Sequence, residues 1–294
     1  MKKLTLLLTA LLLLSQACNK IDTNTETFHI IPPVEVTPYD SEYAETVIQK
    51  IYVEEFTGHA CTFCPDGARI LKAIMDADST IIATAVHCTS LADPGAKPPF
   101  DRNYKTPMGD IICKDFIISG LPKAMINRME VSANTWKIER TQWRSFIAQI
   151  DRNNVRAGIQ LQCDVDETKQ EISARVAVTI IKELPNPVQL CVVLQQDGFV
   201  SGQQDGNTTI SDYVHNHVLR TGLNGNYGTR LTPNGLVNAQ NKYTTTLNLS
   251  YRNLFPYSNL PIEISNCSVI AYLIDMVTKE VVQVEQCKIS SPII

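Results

Sequence analysis

The chain has 294 residues, with 26 Lys and Arg against 30 Asp and Glu, which gives a formal net charge of −4. This balance lacks the basic excess that nucleic-acid binding usually requires, so we expect no nucleic-acid partner. Hydrophobic residues make up 44% of the chain and charged residues 19%, which argues against disorder. The length favours about two domains. Nine cysteines are an odd number, so at least one lies outside any intramolecular disulfide.

The N-terminus predicts export and a lipid anchor. Residues 1–17 have a short basic start followed by an apolar run, which is typical of a signal peptide and too short to span a membrane. Ala17-Cys18 follows directly and resembles a bacterial lipoprotein signal, which is cleaved before the cysteine that then carries the lipid. A plain secretory signal with a coincidental cysteine is the alternative. Asn19 favours the outer membrane but does not indicate which face.

A polar, proline-containing segment separates Cys18 from the rest of the chain. Residues 18–49 are predicted to be a lipid-anchored tether, with at most a short edge strand near Phe28–Ile31. No later stretch reaches 18 consecutive apolar residues, so no transmembrane helix is expected. Once Cys18 is assigned to the lipid, the remaining cysteines are even in number and lie in a compartment that permits disulfides.

The first folded unit carries a Cys-x-x-Cys motif between a strand and a helix. Residues 51–56 are β-branched and aromatic, and residues 81–86 are nearly all apolar, so both are predicted strands. Apolar residues between them recur at helical spacing. Cys61 would lie at the helix N-terminus, where free N–H groups and the helix dipole stabilise a thiolate. Cys64, one turn further on, could resolve a mixed disulfide.

This segment resembles the thioredoxin-like oxidoreductases. Glu55, six residues before Cys61, matches the buried acid that helps the second cysteine of that family to exchange its proton. Leu121-Pro122, just before an apolar strand, matches the family's cis-proline and its substrate-binding neighbour. The resemblance implies that Cys61 is the nucleophile and Cys64 the resolving cysteine. It also implies that Glu55 relays the proton and that Pro122 shapes a groove in which Leu121 contacts the substrate.

Two features leave the role of this motif open. The aromatic residue usual before the first cysteine is Ala60, and the dipeptide between the cysteines is Thr62-Phe63, so the reduction potential is not predicted. A structural disulfide or half of a zinc site are the alternatives, although no other cysteines form a second Cys-x-x-Cys. Thioredoxin-like folds also serve as passive scaffolds. We predict no cofactor and no metal.

After about residue 153 the pattern changes to alternation of apolar and polar residues, which is typical of half-buried strands. The predicted strands lie at residues 159–165, 172–180, 188–194, 243–251, 267–275 and 281–289. We therefore predict an α/β plus all-β fold class. A thioredoxin-like domain would cover residues 50–152, and an antiparallel β-sandwich, Ig-like or jelly-roll, would cover residues 153–294.

The remaining six cysteines are not assigned by their spacing. Cys88 and Cys113 lie in an insertion of the first unit. Four others lie on the predicted strands of the second unit, namely Cys163, Cys191, Cys267 and Cys287. Disulfides and free buried thiols that act as small apolar residues are equally consistent with these positions.

A long loop rich in Gly, Asn, Asp and Gln is predicted over residues 195–241. Long irregular loops on a rigid scaffold usually carry function, so His215, His217 and Arg220 within it are candidate binding residues. The alternative is that these three side chains pin the loop by hydrogen bonds. The two histidines would share one side of a strand, but no further metal ligands are placed by spacing.

The whole pattern resembles the 28-kilodalton outer-membrane protein family of Bacteroidetes-type bacteria. The resemblance rests on the lipoprotein start, on residues 54–59 before Cys-x-x-Cys-Pro, and on the His-Asn-His-Val-Leu-Arg segment at residues 215–220. It covers most of the mature chain. It implies an outer-membrane lipoprotein of a family whose members are generally treated as outer-membrane or surface-exposed proteins, without a settled activity.

Two functions follow as hypotheses. The first, placed slightly ahead, is a surface binding protein, an adhesin or receptor, that uses the long loop. The second is an extracytoplasmic thiol–disulfide oxidoreductase that uses Cys61 and Cys64. The partners expected are outer-membrane lipid through Cys18, an unidentified protein or peptide ligand and, for the oxidoreductase, a redox partner.

Overall fold

The computed structural model describes residues 33–252 and 260–289. The predicted signal peptide, Cys18 and the edge strand near Phe28–Ile31 lie outside these residues. The described part is mostly β, with a few short helices. None of these helices is long and apolar enough to cross a membrane.

The helices and strands alternate in the first half of the chain, and strands dominate the second half. The helices are α1 (Ser41–Thr46), α2 (Cys64–Ala77), α3 (Pro107–Asp115) and α4 (Trp143–Ile147). The strands are β1 (Glu35–Thr37), β2 (Ile51–Thr57), β3 (Ile81–His87), β4 (Lys123–Ile126), β5 (Ile138–Glu139), β6 (Ala157–Asp166), β7 (Glu171–Ile180), β8 (Val188–Gln196), β9 (Phe199–Asp205), β10 (Thr208–His215), β11 (Val218–Gly222), β12 (Thr229–Arg230), β13 (Asn241–Ser250), β14 (Cys267–Asp275) and β15 (Val281–Lys288).

One mixed sheet runs in the order β15-β14-β8-β11-β3-β2-β4-β5, with β12 paired to β8 beside this path. β2 and β3 are parallel, and β4 is antiparallel to β2. β11 lies parallel to β3 and antiparallel to β8, so it joins the strands of the two halves of the chain. The predicted boundary between residues 152 and 153 therefore does not divide the structure. The described residues belong to one compact unit whose halves share this sheet.

A second, antiparallel sheet has the order β1-β13-β7-β6. Its apolar residues, such as Ile172 and Val176, form one core cluster with Val192, Leu194 and Val269 of the larger sheet. The six strands predicted after residue 153 are confirmed as β6, β7, β8, β13, β14 and β15. Two sheets thus pack face to face as predicted, but one of them also belongs to the first half of the chain.

The last part of the predicted tether belongs to the folded body. β1 pairs with the edge of β13. The helix α1 follows, and Asp40 caps its N-terminus: Asp40 Oδ1 accepts a hydrogen bond from the Tyr43 N–H at 2.9 Å. Gln49 Nε2 donates to the Val282 carbonyl at 3.1 Å. The tether prediction is wrong for residues 33–49, because a polar segment can still be fixed by backbone pairing to an open strand edge.

The predicted loop over residues 195–241 is also corrected, since it contains β9, β10, β11 and β12. Gly198 and Gly206 occupy turns between these strands, with φ of 82° and 57°. Most residues of β10 are exposed or half-buried and polar, so this strand has no apolar alternation that a sequence pattern could show.

Both faces of β2 are buried, and this positions the functional site. Ile51 and Val53 pack with residues of α2, whereas Tyr52 and Phe56 pack with residues of α3. Successive side chains of a strand point to opposite faces. The two neighbouring acids Glu54 and Glu55 are therefore buried on opposite sides of the sheet.

Candidate functional site

The Cys-x-x-Cys motif lies where β2 leads into α2. Cys61 and Cys64 form a disulfide, with their Cα atoms 5.4 Å apart. α2 begins at Cys64, three residues later than the sequence predicts, and Pro65 occupies its first turn, where a missing N–H is tolerated. Cys61 lies one turn ahead, and its carbonyl accepts a hydrogen bond from the Cys64 N–H at 3.3 Å.

Glu55 is buried on the face of β2 that packs against α2. Its Oε1 atom has no hydrogen-bond partner among the described residues. A Cβ added at Gly67 of α2 would lie 3.2 Å from this oxygen, so the glycine lets the carboxyl approach the helix. Burial raises the pKa of Glu55 to about 8. The carboxyl can therefore exchange a proton close to neutral pH.

Pro122 approaches the same turn of α2. The Leu121–Pro122 peptide bond is cis, as the resemblance implied. The same added Cβ at Gly67 would lie 2.9 Å from Pro122 Cγ. Leu121 is half-buried and packs against the core cluster that contains Phe56. The structure thus brings the predicted acid and the predicted proline together beside the disulfide, while their catalytic roles stay predictions.

The hairpin formed by β9 and β10 covers the disulfide. The Gly206 N–H donates to the Thr62 carbonyl at 2.8 Å, which attaches the hairpin turn to the residue that follows Cys61. The Gln203 amide donates to the Cys61 carbonyl at 3.1 Å. Under this cover Cys61 and Cys64 are each 2% exposed. Exchange with another protein therefore requires the hairpin to move.

A salt bridge also holds the hairpin against α2. Arg69 Nη1 lies 3.0 Å from Asp205 Oδ2. Such exposed ion pairs contribute about 0–1 kcal/mol, so this attachment can open at little cost. Tyr213 of the same hairpin lies close enough to Glu55 to feel its charge, and burial together with that charge raises the pKa of Tyr213 to about 12. The hairpin thus reaches from the disulfide to the buried acid.

A cavity of about 640 Å³ lies between α2 and the hairpin. Its lining includes Glu55 and Cys64 from the motif and His87 from the end of β3. It also includes two residues predicted for binding, His215 and His217. The structure therefore brings members of the two sets of predicted site residues, redox and binding, to one half-open cavity.

His87 is a member of this cavity that sequence reasoning missed. It is buried, and neither ring nitrogen has a hydrogen-bond partner in the part of the chain described. Burial, followed by the nearby His215 and His59, lowers the pKa of His87 well below its usual range. His87 pairs in register with Thr57 of β2. Its position at the carboxyl end of a buried strand beside the Cys-x-x-Cys strand is the signal that could have found it.

His215 is held in place by a short hydrogen-bonded chain. Its Nε2 lies 3.2 Å from Ser201 Oγ, which lies 2.7 Å from the Tyr104 hydroxyl. Burial lowers the pKa of His215 to about 4, so the ring is neutral at physiological pH. Within residues 33–252 and 260–289, no three His, Cys, Asp or Glu side chains group closely enough to hold a metal ion.

Arg220, in contrast, lies outside the cavity lining. It is buried, and its guanidinium donates to Gln196 Oε1 at 2.5 Å and to the Leu260 carbonyl at 3.1 Å. The same group lies 5.0 Å from the centroid of the Phe199 ring. These contacts fit the alternative interpretation of Arg220 as a residue that pins the second half of the chain, and they do not place it with the binding residues.

Comparisons with known proteins agree with parts of this description. A family model described as Outer membrane protein Omp28 matches residues 110–292, more than half of the chain. Among solved structures, the chain is similar to HBP35 of Porphyromonas gingivalis, with a TM-score of 0.58 and 16% identity over 85% of this chain and 80% of that one. It is also similar to a domain of the outer membrane lipoprotein Omp28 from Porphyromonas gingivalis, with a TM-score of 0.32 and 23% identity over 46% of this chain and 96% of that one. No curated protein matches the chain.

The family match confirms the resemblance predicted from the sequence, and with it the location at the outer membrane. The similarity to HBP35 concerns the fold alone. The matched residues begin after the Cys-x-x-Cys motif and include the hairpin that covers it. The chain belongs to the Omp28 family of outer membrane proteins.

Proposed function

We propose that the protein is a thiol–disulfide oxidoreductase of the outer membrane, anchored by a lipid on Cys18 and built on a thioredoxin-like arrangement of β2, α2, β3 and β4. The carrying observation is the buried Glu55 carboxyl, whose Oε1 lacks a partner among the described residues, beside Cys64 and Pro122. Burying a polar group without a hydrogen bond costs stability. A purely structural disulfide gains nothing from such a group, whereas an exchanging pair needs a proton acceptor.

The proposed reaction begins with the reduced pair. The Cys61 thiolate attacks a substrate disulfide, forms a mixed disulfide and releases one substrate sulfur as a thiolate. Cys64 then gives its proton to Glu55 and attacks Cys61 Sγ, which releases the second substrate thiolate. The substrate gains two electrons, and the protein is left with the Cys61–Cys64 disulfide. The reverse steps oxidise a substrate dithiol, so the reduction potential sets the direction.

A test of this proposal compares Glu55→Gln with Glu45→Gln, an exposed acid on α1 that serves as the matched control. Reduction of insulin disulfides and equilibration with glutathione buffers are measured for both. We expect Glu55→Gln to slow turnover by roughly 100-fold or more, as loss of a general base does, and Glu45→Gln to leave it unchanged. Equal turnover of both variants would remove Glu55 from the mechanism. A Cys61–Cys64 disulfide that resists dithiothreitol in the native protein would overturn the function itself.

A second function, ligand binding as an adhesin or receptor, is favoured by the cavity. Its volume is within the range of small-molecule sites, and His87 offers two ring nitrogens with no partner in the described residues. Val200 and Val214 on the outside of the hairpin are 60% and 49% exposed, and exposed apolar side chains suit a protein contact. Protease shaving of intact cells tests this role. Complete protection of the protein would exclude an adhesin.

A further inference from the structure

Six cysteines outside the Cys-x-x-Cys motif lie among the described residues, and four of them meet in pairs. The six are free thiols in the structure, namely Cys88, Cys113, Cys163, Cys191, Cys267 and Cys287. Cys113 packs against the core cluster that contains Cys88, and its thiol lies close enough to raise the pKa of Cys88. The Gln283 amide of β15 donates to the Ala157 carbonyl of β6 at 3.0 Å, which brings the strands of Cys287 and Cys163 together, and burial with the neighbouring Cys287 thiol raises the pKa of Cys163. Spacing along the sequence left every one of these pairings open.

The first pair joins α3 to the end of β3. Cys88 directly follows β3 and is buried, whereas Cys113 on α3 is half-buried. The helix packs closely here, since a Cβ added at Gly109 would lie 3.1 Å from Val86 Cγ1 and 3.7 Å from the His87 carbonyl oxygen. The neighbouring Cys113 thiol raises the pKa of Cys88, and the Cys88 thiol lowers the pKa of Cys113. Cys113 is therefore the thiol that ionises first.

The second pair joins the two sheets. Cys163 lies on β6, the edge of the four-stranded sheet, and Cys287 lies on β15, the edge of the larger sheet. Both side chains are half-buried, so an external disulfide can reach them. A disulfide between Cys163 and Cys287 would link the edge strand of one sheet covalently to the edge strand of the other.

We propose that Cys88–Cys113 and Cys163–Cys287 are disulfides in the exported protein. The outer membrane lies outside the reducing cytosol. Adjacent thiols at the outer membrane are normally oxidised. This inference does not rest on the redox function proposed for the Cys-x-x-Cys motif. It assigns two structural cross-links, one within the first half of the chain and one between the two sheets.

The last two cysteines remain thiols on this proposal. In the register of β8 and β14, Cys191 lies opposite Tyr272 and Cys267 lies opposite Gln196. The Cys267 thiol donates to the Glu263 carbonyl at 3.4 Å. Both cysteines are buried, and both are free thiols in the structure. They behave as small apolar core residues.

The oxidation requires an extracytoplasmic thiol oxidase that carries a disulfide. The Cys113 thiolate attacks that disulfide, which forms a mixed disulfide and releases one oxidase thiolate. Cys88 then loses its proton and attacks Cys113 Sγ, which releases the second oxidase thiolate. This protein loses two protons and two electrons, and the oxidase disulfide becomes a dithiol. The same steps join Cys163 to Cys287 with a second oxidase disulfide.

The test is peptide mapping of the full chain purified from outer membranes. The protein is denatured without reductant, its thiols are alkylated with N-ethylmaleimide, and the digest is analysed by mass spectrometry. We expect one peptide pair linked through Cys88 and Cys113, a second linked through Cys163 and Cys287, and alkylation at Cys191 and Cys267. Each linked pair should separate upon reduction. Alkylation of any of the four paired cysteines, or linkage to a different partner, would overturn that assignment.

Two variants separate a specific pair from random oxidation. Cys113→Ser should leave Cys88 alkylated while the Cys163–Cys287 link persists. Cys191→Ser, the matched control, should retain both links. If Cys113→Ser fails to fold, the map of the unaltered protein still decides the pairing. An inert Cys61–Cys64 pair would end the proposed enzymatic function but leave this map unchanged.

Discussion

Glu54 and Glu55 are neighbours on one buried strand, yet the two faces of β2 treat their carboxyl groups in opposite ways. Glu54 accepts two hydrogen bonds from Arg128, at 2.6 and 2.7 Å, and both side chains are fully buried. Glu55 faces the cavity, and its Oε1 has no partner in the described chain. On one face of β2, the Glu54 carboxylate is neutralised by Arg128. On the other face, the Glu55 carboxyl can gain or lose a proton. Both acids are buried, so burial does not distinguish them; the unpartnered Oε1 is what singles out Glu55 as the candidate acid.

Removal of the Arg128 side chain, the partner of Glu54, should have the largest effect on stability. Arg128→Met leaves a buried carboxylate without compensation, and we expect the free energy of unfolding to fall by about 3–5 kcal/mol. Urea denaturation at pH 7 measures it. The double variant Glu54→Gln/Arg128→Met should recover most of the loss, because no buried charge then remains unpaired. A loss below about 1 kcal/mol for the single variant would show that this pair is not structural.

The pH dependence of stability sharpens the role of Glu55. Its carboxyl ionises near pH 4.5 when unfolded and near 8 when folded, so the folded state holds the proton between these values. The contribution of Glu55 to the free energy of unfolding should therefore fall by about 4 kcal/mol as the pH rises from 4.5 to 8, and then level off. Glu55→Gln should abolish this fall, whereas Glu45→Gln should keep it. Denaturant titrations across this range decide the point.

His215 on the other wall of the cavity should show the opposite dependence. Its pKa falls from 6.5 when unfolded to about 4 when folded, so the unfolded state binds the extra proton in this range. The contribution of His215 to stability should be lost as the pH falls from 6.5 to 4, by about 3 kcal/mol. His215→Gln should flatten this acid limb, and His217→Gln, with a half-exposed ring, should change it less. An unchanged limb in His215→Gln would refute the buried, neutral state of His215.

The smallest expected effect on stability comes from loosening the β9–β10 hairpin that covers the disulfide. Asp205→Asn removes the ion pair with Arg69 and should cost at most about 1 kcal/mol. The hairpin should then open more often, and dithiothreitol should reduce Cys61–Cys64 up to about fivefold faster. Asp76→Asn removes the exposed pair with Lys72 on the same helix and serves as the control. Equal rates in both variants would show that the Arg69–Asp205 pair does not hold the hairpin.

Local patterns carried much of the sequence prediction. The alternation after residue 153 located six strands, the Cys-x-x-Cys spacing located the paired cysteines, and the resemblance to the thioredoxin-like oxidoreductases singled out Glu55 as the buried acid. These features depend on neighbours within one or two turns of the chain, so the order of residues contains them. The family resemblance depended on the same local motifs and is confirmed by the family match.

The order of residues was enough to predict the Cys-x-x-Cys motif, the six strands and the outer-membrane family, and the thioredoxin-like resemblance added Glu55 and Pro122. The tertiary structure alone decided that β11 joins both halves into one sheet, that a polar hairpin covers the disulfide, and that His87 faces the cavity. It alone also brought Cys113 to Cys88. The physical reason is that strand pairing uses backbone hydrogen bonds common to all residues. A polar strand such as β10 therefore leaves no mark in the sequence that tells where it will pair.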